Sequence, residues 1–426
     1  MPEPNAFKPS EALDSLRQVC AYLASANGKP GGRQLAGEAS PLTRNLLFTI
    51  HRQQLAMDWL LNRLASGKIR PRLRHILHWA MAEHYWLTAL PAPVITDVAV
   101  NYAKRQGAPS EGGFVNAVLR RLWTEIPDVA ELERELQSAP PNIRLRLPET
   151  IYSRWKRQRD DKTIAQMAAA FLLPPQTVFR LRALAPQDTD LTGLQELPAL
   201  PWTVGQRLFH PLSSADEARW LKPLEQGGRP AFYVQDPSTL LAPHLLDAQP
   251  GESLADLCSA PGGKSLLLAE ALHGTGKLLC ADRSAPRLAR VRQNLQGYPE
   301  VQIVQADVTV ARGIPLAVAS QDGVLLDVPC SNTGVIRRAP DVRAHFSASG
   351  LAELVRLQGD ILRGAAGLVR PGGRLVYSTC SVEPEENQLQ IQAFLQDRPE
   401  FTLDCEQQIL PCPAHDGAYA ARLVRT

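Results

Sequence analysis

Apolar residues return every three or four positions from Leu42 to Leu64, and again over Ile76–Leu87, Val94–Ala103 and Phe114–Trp123. Such spacing gathers them on one face, so each stretch predicts an amphipathic helix of a small bundle. Pro71, the pair Pro91 and Pro93, and the run Gly107–Gly113 fall between these stretches, where helices end. An all-helical domain is therefore expected over 1–140, bounded by Pro140 and Pro141. Residues 141–232 read as a small α+β connector with one helix over Pro148–Phe171 and a strand-like run over Val178–Leu184. From residue 233 to 426 the pattern changes: apolar runs alternate with helical segments, as in a parallel sheet with crossover helices. The expected strands are Ser253–Cys258, Lys277–Ala281, Gln302–Gln305, Gly323–Leu326 and Arg374–Ser378; the expected helices are Lys264–His273, Pro286–Gln296, Gly350–Val369 and Pro384–Gln396.

The chain has 426 residues, enough for two or three domains, and no apolar run approaches the roughly 18 residues of a membrane span. Met1–Cys20 lacks the apolar centre of a secretory signal, so a cytoplasmic protein without membrane contact is expected. Seven cysteines, an odd number with no C-x-x-C pair, suggest neither a disulfide framework nor a metal site. Charge is uneven: residues 1–159 hold 22 Lys and Arg against 14 Asp and Glu, whereas the remainder is net acidic. Two clusters, Lys68, Arg70, Arg72 and Arg74, and Arg154, Lys156, Arg157 and Arg159 around Trp155, could neutralise phosphates or form solvated helix faces. Trp155 and Trp202 are expected to pack, and His210, His244, His273 and His345 receive no role.

The first catalytic-domain strand runs into Asp256-Leu-Cys-Ser-Ala-Pro-Gly-Gly-Lys264-Ser265 and a helix, a nucleotide-type turn at a strand's carboxyl end. Gly263-Lys264-Ser265 resembles the end of an ATPase phosphate loop, but the glycine that loop requires is Cys258 here, and Pro261 removes an amide. Gly274-Thr-Gly276 fails as a dinucleotide fingerprint because Leu279 stands at its third glycine. A ligand with an adenosine but no polyphosphate fits better. Asp282 follows the second strand, where a carboxylate accepts ribose hydroxyls, and Asp307 follows the third, where it can hold the base edge. S-adenosylmethionine meets this description, with its amino acid end over the glycine turn.

The fourth strand ends in Asp327-Val-Pro-Cys330-Ser-Asn-Thr-Gly334 and the fifth in Tyr377-Ser-Thr-Cys380-Ser381, so both thiols lie at the sheet edge where ligands bind. Such a pair suits methylation of cytosine C5. A thiolate adding at C6 makes C5 nucleophilic, and a base must later take the C5 proton so that the sulfur can leave. Asp327 is placed to hydrogen-bond the cytosine's amino and ring-nitrogen edge, and Lys264 to supply positive charge that favours a thiolate.

Asp256–Lys264, the block Asp327-Val-Pro-Cys-Ser331 with Thr333–Arg338, Pro340 and Asp341, and Ser378-Thr-Cys-Ser-Val-Glu-Pro-Glu-Glu-Asn387 together resemble the NOL1/NOP2/Sun family of RNA cytosine-5 methyltransferases. The resemblance implies that Cys380 is the nucleophile and that Cys330 assists product release. It also implies a Rossmann-like cofactor site formed by Cys258, Ser259, Ala260, Pro261, Gly262, Gly263, Lys264, Asp282, Asp307 and Asp327, with no metal. Gly113-Phe-Val-Asn-Ala-Val-Leu-Arg-Arg-Leu122 is similar to the last helix of NusB-like RNA-binding domains. A NusB-like front on this catalytic domain is the layout of the family's bacterial branch acting on 16S ribosomal RNA. RNA is then the expected partner, with no DNA; transfer RNA, or a decayed NusB-like scaffold, are the rival readings. The sequence departs from the family pattern at Asn332, in place of glycine, and at Ala339 and Ala418.

Overall fold

The computed structural model describes residues 9–25, 39–65, 67–87, 90–225, 231–310 and 314–426, so Met1–Lys8 of the stretch read for a leader lie outside the described residues. The chain divides into two compact units: Met1–Leu172 with Arg343–His345, and Leu173–Val342 with Phe346–Thr426.

The first unit is helical. Its main helices are Pro9–Ser25, Pro41–Leu64, Pro71–Ala82, Ala92–Gln106 and Pro109–Glu125, the last four beginning at a proline or one residue before one, where the missing N–H costs no hydrogen bond. Ser40 caps the second by accepting the Thr43 N–H at 3.2 Å. Leu46, Ile50, Leu60, Ile76, Trp79, Val115 and Leu119 interleave in the core, and Trp79 directs its Nε1–H to Ser15 Oγ at 3.1 Å. The single helix expected over Pro148–Phe171 is instead two, Glu149–Lys156 and Asp161–Leu172. Asp160 between them accepts the Thr163 N–H, starting the second helix afresh. Trp155 is buried, as expected.

Part of each basic cluster is paired with acidic side chains within this unit. Glu111 receives both Arg70 and Arg72, Asp58 receives Arg74, Asp161 receives Lys156, and Arg159 lies over the Trp155 ring.

The second unit holds two sheets. A small antiparallel one has the order β2-β3-β1-β4, formed by β1 (Phe179–Leu181), β2 (Leu194–Glu196), β3 (Leu208–Pro211) and β4 (Phe232–Val234). The large one comprises β5 (Ser253–Asp256), β6 (Lys277–Asp282), β7 (Val301–Gln305), β8 (Gln321–Asp327), β9 (Val369–Thr379), β10 (Phe401–Ile409) and β11 (Ala418–Arg425), in the order β10-β11-β9-β8-β5-β6-β7. Strands β5 to β9 pair in parallel, while β11 runs antiparallel to both β9 and β10. The terminal hairpin extends the expected five strands to seven.

Alternation along the strands builds a core on each face. Leu254, Leu278, Cys280, Leu325 and Val376 point one way, while Ala255, Leu279, Ala281, Val324, Leu326, Leu375 and Tyr377 point the other. Helices Gly263–Ala271 and Ala285–Asn294 cover the first face; Ala348–Ala366 and Gln388–Asp397 cover the second. Glu386, expected in a helix running from Pro384 to Gln396, sits in a separate 3-10 turn that precedes the last of these.

Candidate active site

Both halves of the site hang from the carboxyl ends of the parallel strands. After β5 the chain turns through Leu257–Gly262 into helix Gly263–Ala271, and Gly262 takes φ +104°, a conformation costly for any residue with a Cβ. A Cβ on Gly263 would stand 3.0 Å from the Tyr233 ring, so glycine here keeps the backbone against that ring. Neighbours fix the turn's carbonyls: Arg287 donates to Ala260 O at 2.6 Å, and Asn294 donates to Pro261 O at 2.8 Å and to Tyr233 Oη at 3.2 Å. Asp282, buried at the end of β6, accepts the Ser284 N–H at 2.8 Å and faces Arg287 at 3.3 Å. Beside it an open pocket of about 720 Å³ is lined by Arg283, Ser284, Arg287, Gln305, Ala306 and Asp307. Bonds from Thr309 hold the Asp307 carboxyl below its usual range.

These residues fit an adenosine-bearing ligand. Asp256 Oδ1 at the end of β5 and Ser259 Oγ in the turn are buried without a hydrogen-bond partner among the described residues, which suits a cradle built for a polar group. Burial pushes the Asp256 carboxyl up to about 7, although Ser265 Oγ donates to its other oxygen at 2.6 Å. The Cys258 thiol is raised far above its ordinary range by burial, so this residue lines the turn as an inert group.

The two thiols converge. Strands β8 and β9 are parallel neighbours with Asp327 opposite Ser378, so Cys330 and Cys380 leave adjacent strand ends and their sulfurs stand 3.1 Å apart. Both are half-buried. Lys264 Nζ meets Asp327 Oδ2 at 2.7 Å, and Ser378 Oγ donates to Asp327 Oδ1 at 3.4 Å. Burial works against the Lys264 charge, but the adjacent Asp327 carboxylate outweighs it and raises the ammonium's pKa. The Cys330 thiol is pushed well above its usual range, first by its hydrogen bond to Cys380 and then by burial, so it stays protonated.

Several supporting residues were given no role by the sequence. Fully buried Glu386 accepts the Ser331 N–H at 2.8 Å, the Ser331 hydroxyl, and Gln358 Nε2 at 2.9 Å; Gln358 also donates to Pro329 O at 3.0 Å. The Cys330 loop is thereby pinned on both sides of the thiol. Gly334 donates to Cys380 O at 3.0 Å and accepts from the Gly417 N–H at 2.9 Å, tying the two thiol loops to the terminal hairpin. Arg337 and Arg338 together clasp Asp236 and Asp416; of the four, Arg337 is 1% exposed. Asn332 adopts φ +59°, the left-handed conformation that asparagine tolerates. Ala339 is buried, and Ala418 begins β11.

The large sheet and its strand-end turn are those of Rossmann-like methyltransferases. Residues 243–418 match the model of the 16S rRNA methyltransferase RsmB/F family, and residues 10–123 match that of the NusB family. The chain is 32% identical to the ribosomal RNA small subunit methyltransferase B of Erwinia tasmaniensis over 94% of each chain. It is 31% identical to the protein of that name from Yersinia enterocolitica, over 98% of this chain and 96% of the other. The crystal structure of PH0851 shares its fold at a TM-score of 0.74 with 22% identity, over 99% of this chain and 100% of that one. Two adjoining thiol loops, a glycine turn and a NusB domain in front thus go together with sequence identity along nearly the whole chain, which belongs to the ribosomal RNA small subunit methyltransferase B family.

Proposed function

We propose that this protein transfers a methyl group from S-adenosylmethionine to C5 of a cytosine in small-subunit ribosomal RNA, through a covalent adduct at C6. The observation that carries the reading is the 3.1 Å approach of the Cys330 and Cys380 sulfurs beside the Lys264–Asp327 pair. When bound, S-adenosylmethionine supplies an electrophilic methyl group. The glycine turn Cys258–Lys264 and Asp282, Asp307 and Asp327 would hold it. Cys380, after giving its S–H proton to solvent, forms the S–C6 bond as a thiolate; this places electron density on C5, and C5 takes the methyl as the sulfonium S–CH3 bond breaks and leaves S-adenosylhomocysteine. Asp327 accepts a hydrogen bond from the amino group of the base and so favours the polarised ring. A base then removes the C5 proton, the C5–C6 double bond re-forms, and the Cys380 sulfur departs with the bonding pair. Cys330, protonated beside Cys380, returns a proton to the departing thiolate. The base must be unpaired or flipped, because sulfur reaches C6 only from above the ring.

Purified enzyme, S-adenosylmethionine carrying a labelled methyl and small-subunit RNA provide the test, with bisulfite sequencing to locate the product. Cys380→Ala is expected to transfer no methyl, and Cys330→Ala to accumulate a protein–RNA adduct that survives denaturing electrophoresis. Undiminished transfer by Cys380→Ala would remove the assigned nucleophile.

A further inference from the structure

Asn332 sits between the two thiol loops and touches both. Its Nδ2 donates to Cys330 O at 3.2 Å, and its Oδ1 accepts from Cys380 Sγ at 3.0 Å. The first contact fixes the orientation of the amide: turned over, Oδ1 would face the Cys330 carbonyl and two acceptors would oppose each other. Oδ1 is therefore the atom presented to the sulfur. With its S–H engaged by Asn332, Cys380 can use its sulfur only as the acceptor for the Cys330 S–H, 3.1 Å away. The three groups form a directed chain from Cys330 through Cys380 to the amide.

We infer that Asn332 is a positioning residue for the paired thiols, fixing the rotamer of Cys380 and the direction of its hydrogen bond in the enzyme awaiting substrate. The inference rests on the reading of Cys380 as nucleophile. Its physical content is twofold. The amide sets which way the sulfur points and where the Cys330 loop stands, the kind of placement whose loss slows a reaction without weakening substrate binding. It also withholds the Cys380 S–H from solvent and from small reagents.

The backbone supplies a clean test, because a residue at φ +59° can be replaced by glycine without strain, so Asn332→Gly removes the amide alone. Two readouts are taken on the full-length protein: methyl transfer to small-subunit RNA, and the rate at which iodoacetamide modifies Cys380, followed by peptide mass spectrometry. Asn332→Gly is expected to lower kcat about tenfold at an RNA KM within about twofold of the parent. It should also speed Cys380 alkylation severalfold, a change that general loosening of the fold would extend to buried Cys280. Asn332→Asp keeps the acceptor for the Cys380 S–H but loses the donor to Cys330 O. It should retain slow alkylation while its kcat falls. Parental kcat or parental alkylation in Asn332→Gly overturns the inference, as does equal acceleration at Cys280. Cys380→Ala is assayed in parallel: if it methylates normally the nucleophile assignment has failed, whereas if it is inert and Asn332→Gly behaves as the parent, only the role of Asn332 has.

Discussion

Replacing Gly334 by alanine adds one methyl group at a crowded point between the two thiol loops. The new Cβ would stand 2.6 Å from the Cys380 carbonyl oxygen and 3.1 Å from backbone atoms of Gly417, where ordinary contact begins near 3.4 Å. The overlap with Cys380 is thus about 0.8 Å. Both obstacles are main chain, so no side-chain rotation relieves them. Retreat of Cys380 O would stretch its 3.0 Å bond from the Gly334 N–H, and retreat of Gly417 would stretch its 2.9 Å bond to Gly334 O. Overpacking of this kind costs about 1–3 kcal/mol, or a few degrees of Tm for a domain of this size. Catalysis should suffer more, because the displaced residue is Cys380 itself: a shift of ~1 Å at reacting groups costs about 100-fold in rate. Single-turnover methylation and a thermal melt on the same preparation measure the two effects. Gly367→Ala, where a Cβ meets nothing within 4 Å, is the control. A Gly334→Ala protein whose single-turnover rate lies within twofold of the parent would refute the argument that the thiol loops are locked through their backbones.

Asp256, raised to about 7 by burial, is protonated in the folded protein over a range where the unfolded chain, with an ordinary value near 3.8, is charged. Its contribution to stability is present below the unfolded value and is lost as pH rises through about 7. Ligand-free Asp256→Asn should therefore melt above the parent at pH 8 and level with it below pH 4 in a fluorimetric pH series; a gap that does not change with pH would contradict the assignment. Asp282 is the buried carboxylate proposed to bind the ribose, so Asp282→Ala should weaken S-adenosylmethionine at least tenfold by calorimetry, the cost of unpaired polar groups in a site built to bond them. Glu386→Ala leaves the Ser331 N–H without its acceptor and removes one of the partners of Ser331 Oγ and Gln358 Nε2, and should cost about 1–3 kcal/mol of unfolding free energy in the catalytic unit. Denaturant melts followed by a probe in that unit would detect it, and a midpoint equal to the parent's would count against it.

Strands β5 to β9 were legible because a parallel sheet covered on both faces demands near-continuous apolar runs, and the thiols were legible because both follow such runs. The terminal hairpin was not. Thr402, Asp404 and Glu406 give β10 the polar alternation of an edge, and the Ala- and Arg-rich β11 carries no strand preference of its own; pairing with β9 decides its conformation. Glu386 stands in the block Ser378–Asn387 and in a stretch expected to be helical, but nothing local shows that the fold buries it completely. Its partners Ser331 and Gln358 lie far off in the chain. The pairing of Arg70 and Arg72 was hidden for the same reason: Glu111, which takes up both, is about forty residues from either. Local pattern shows which residues have chemistry to offer, and tertiary contact decides which are already spoken for.

The clasp of Arg337 and Arg338 on Asp236 and Asp416 sets two positive charges against two negative ones. Balanced in charge, and buried at Arg337, Asp236 and Asp416 with Arg338 partly exposed, it presents little net field for mobile ions to screen. Attraction between a protein and a phosphate chain is governed by the opposite physics and fades steeply as electrolyte is added. A titration with potassium chloride should accordingly detach the polynucleotide while leaving the catalytic scaffold assembled, which offers a route to ligand-free enzyme that never passes through denaturation.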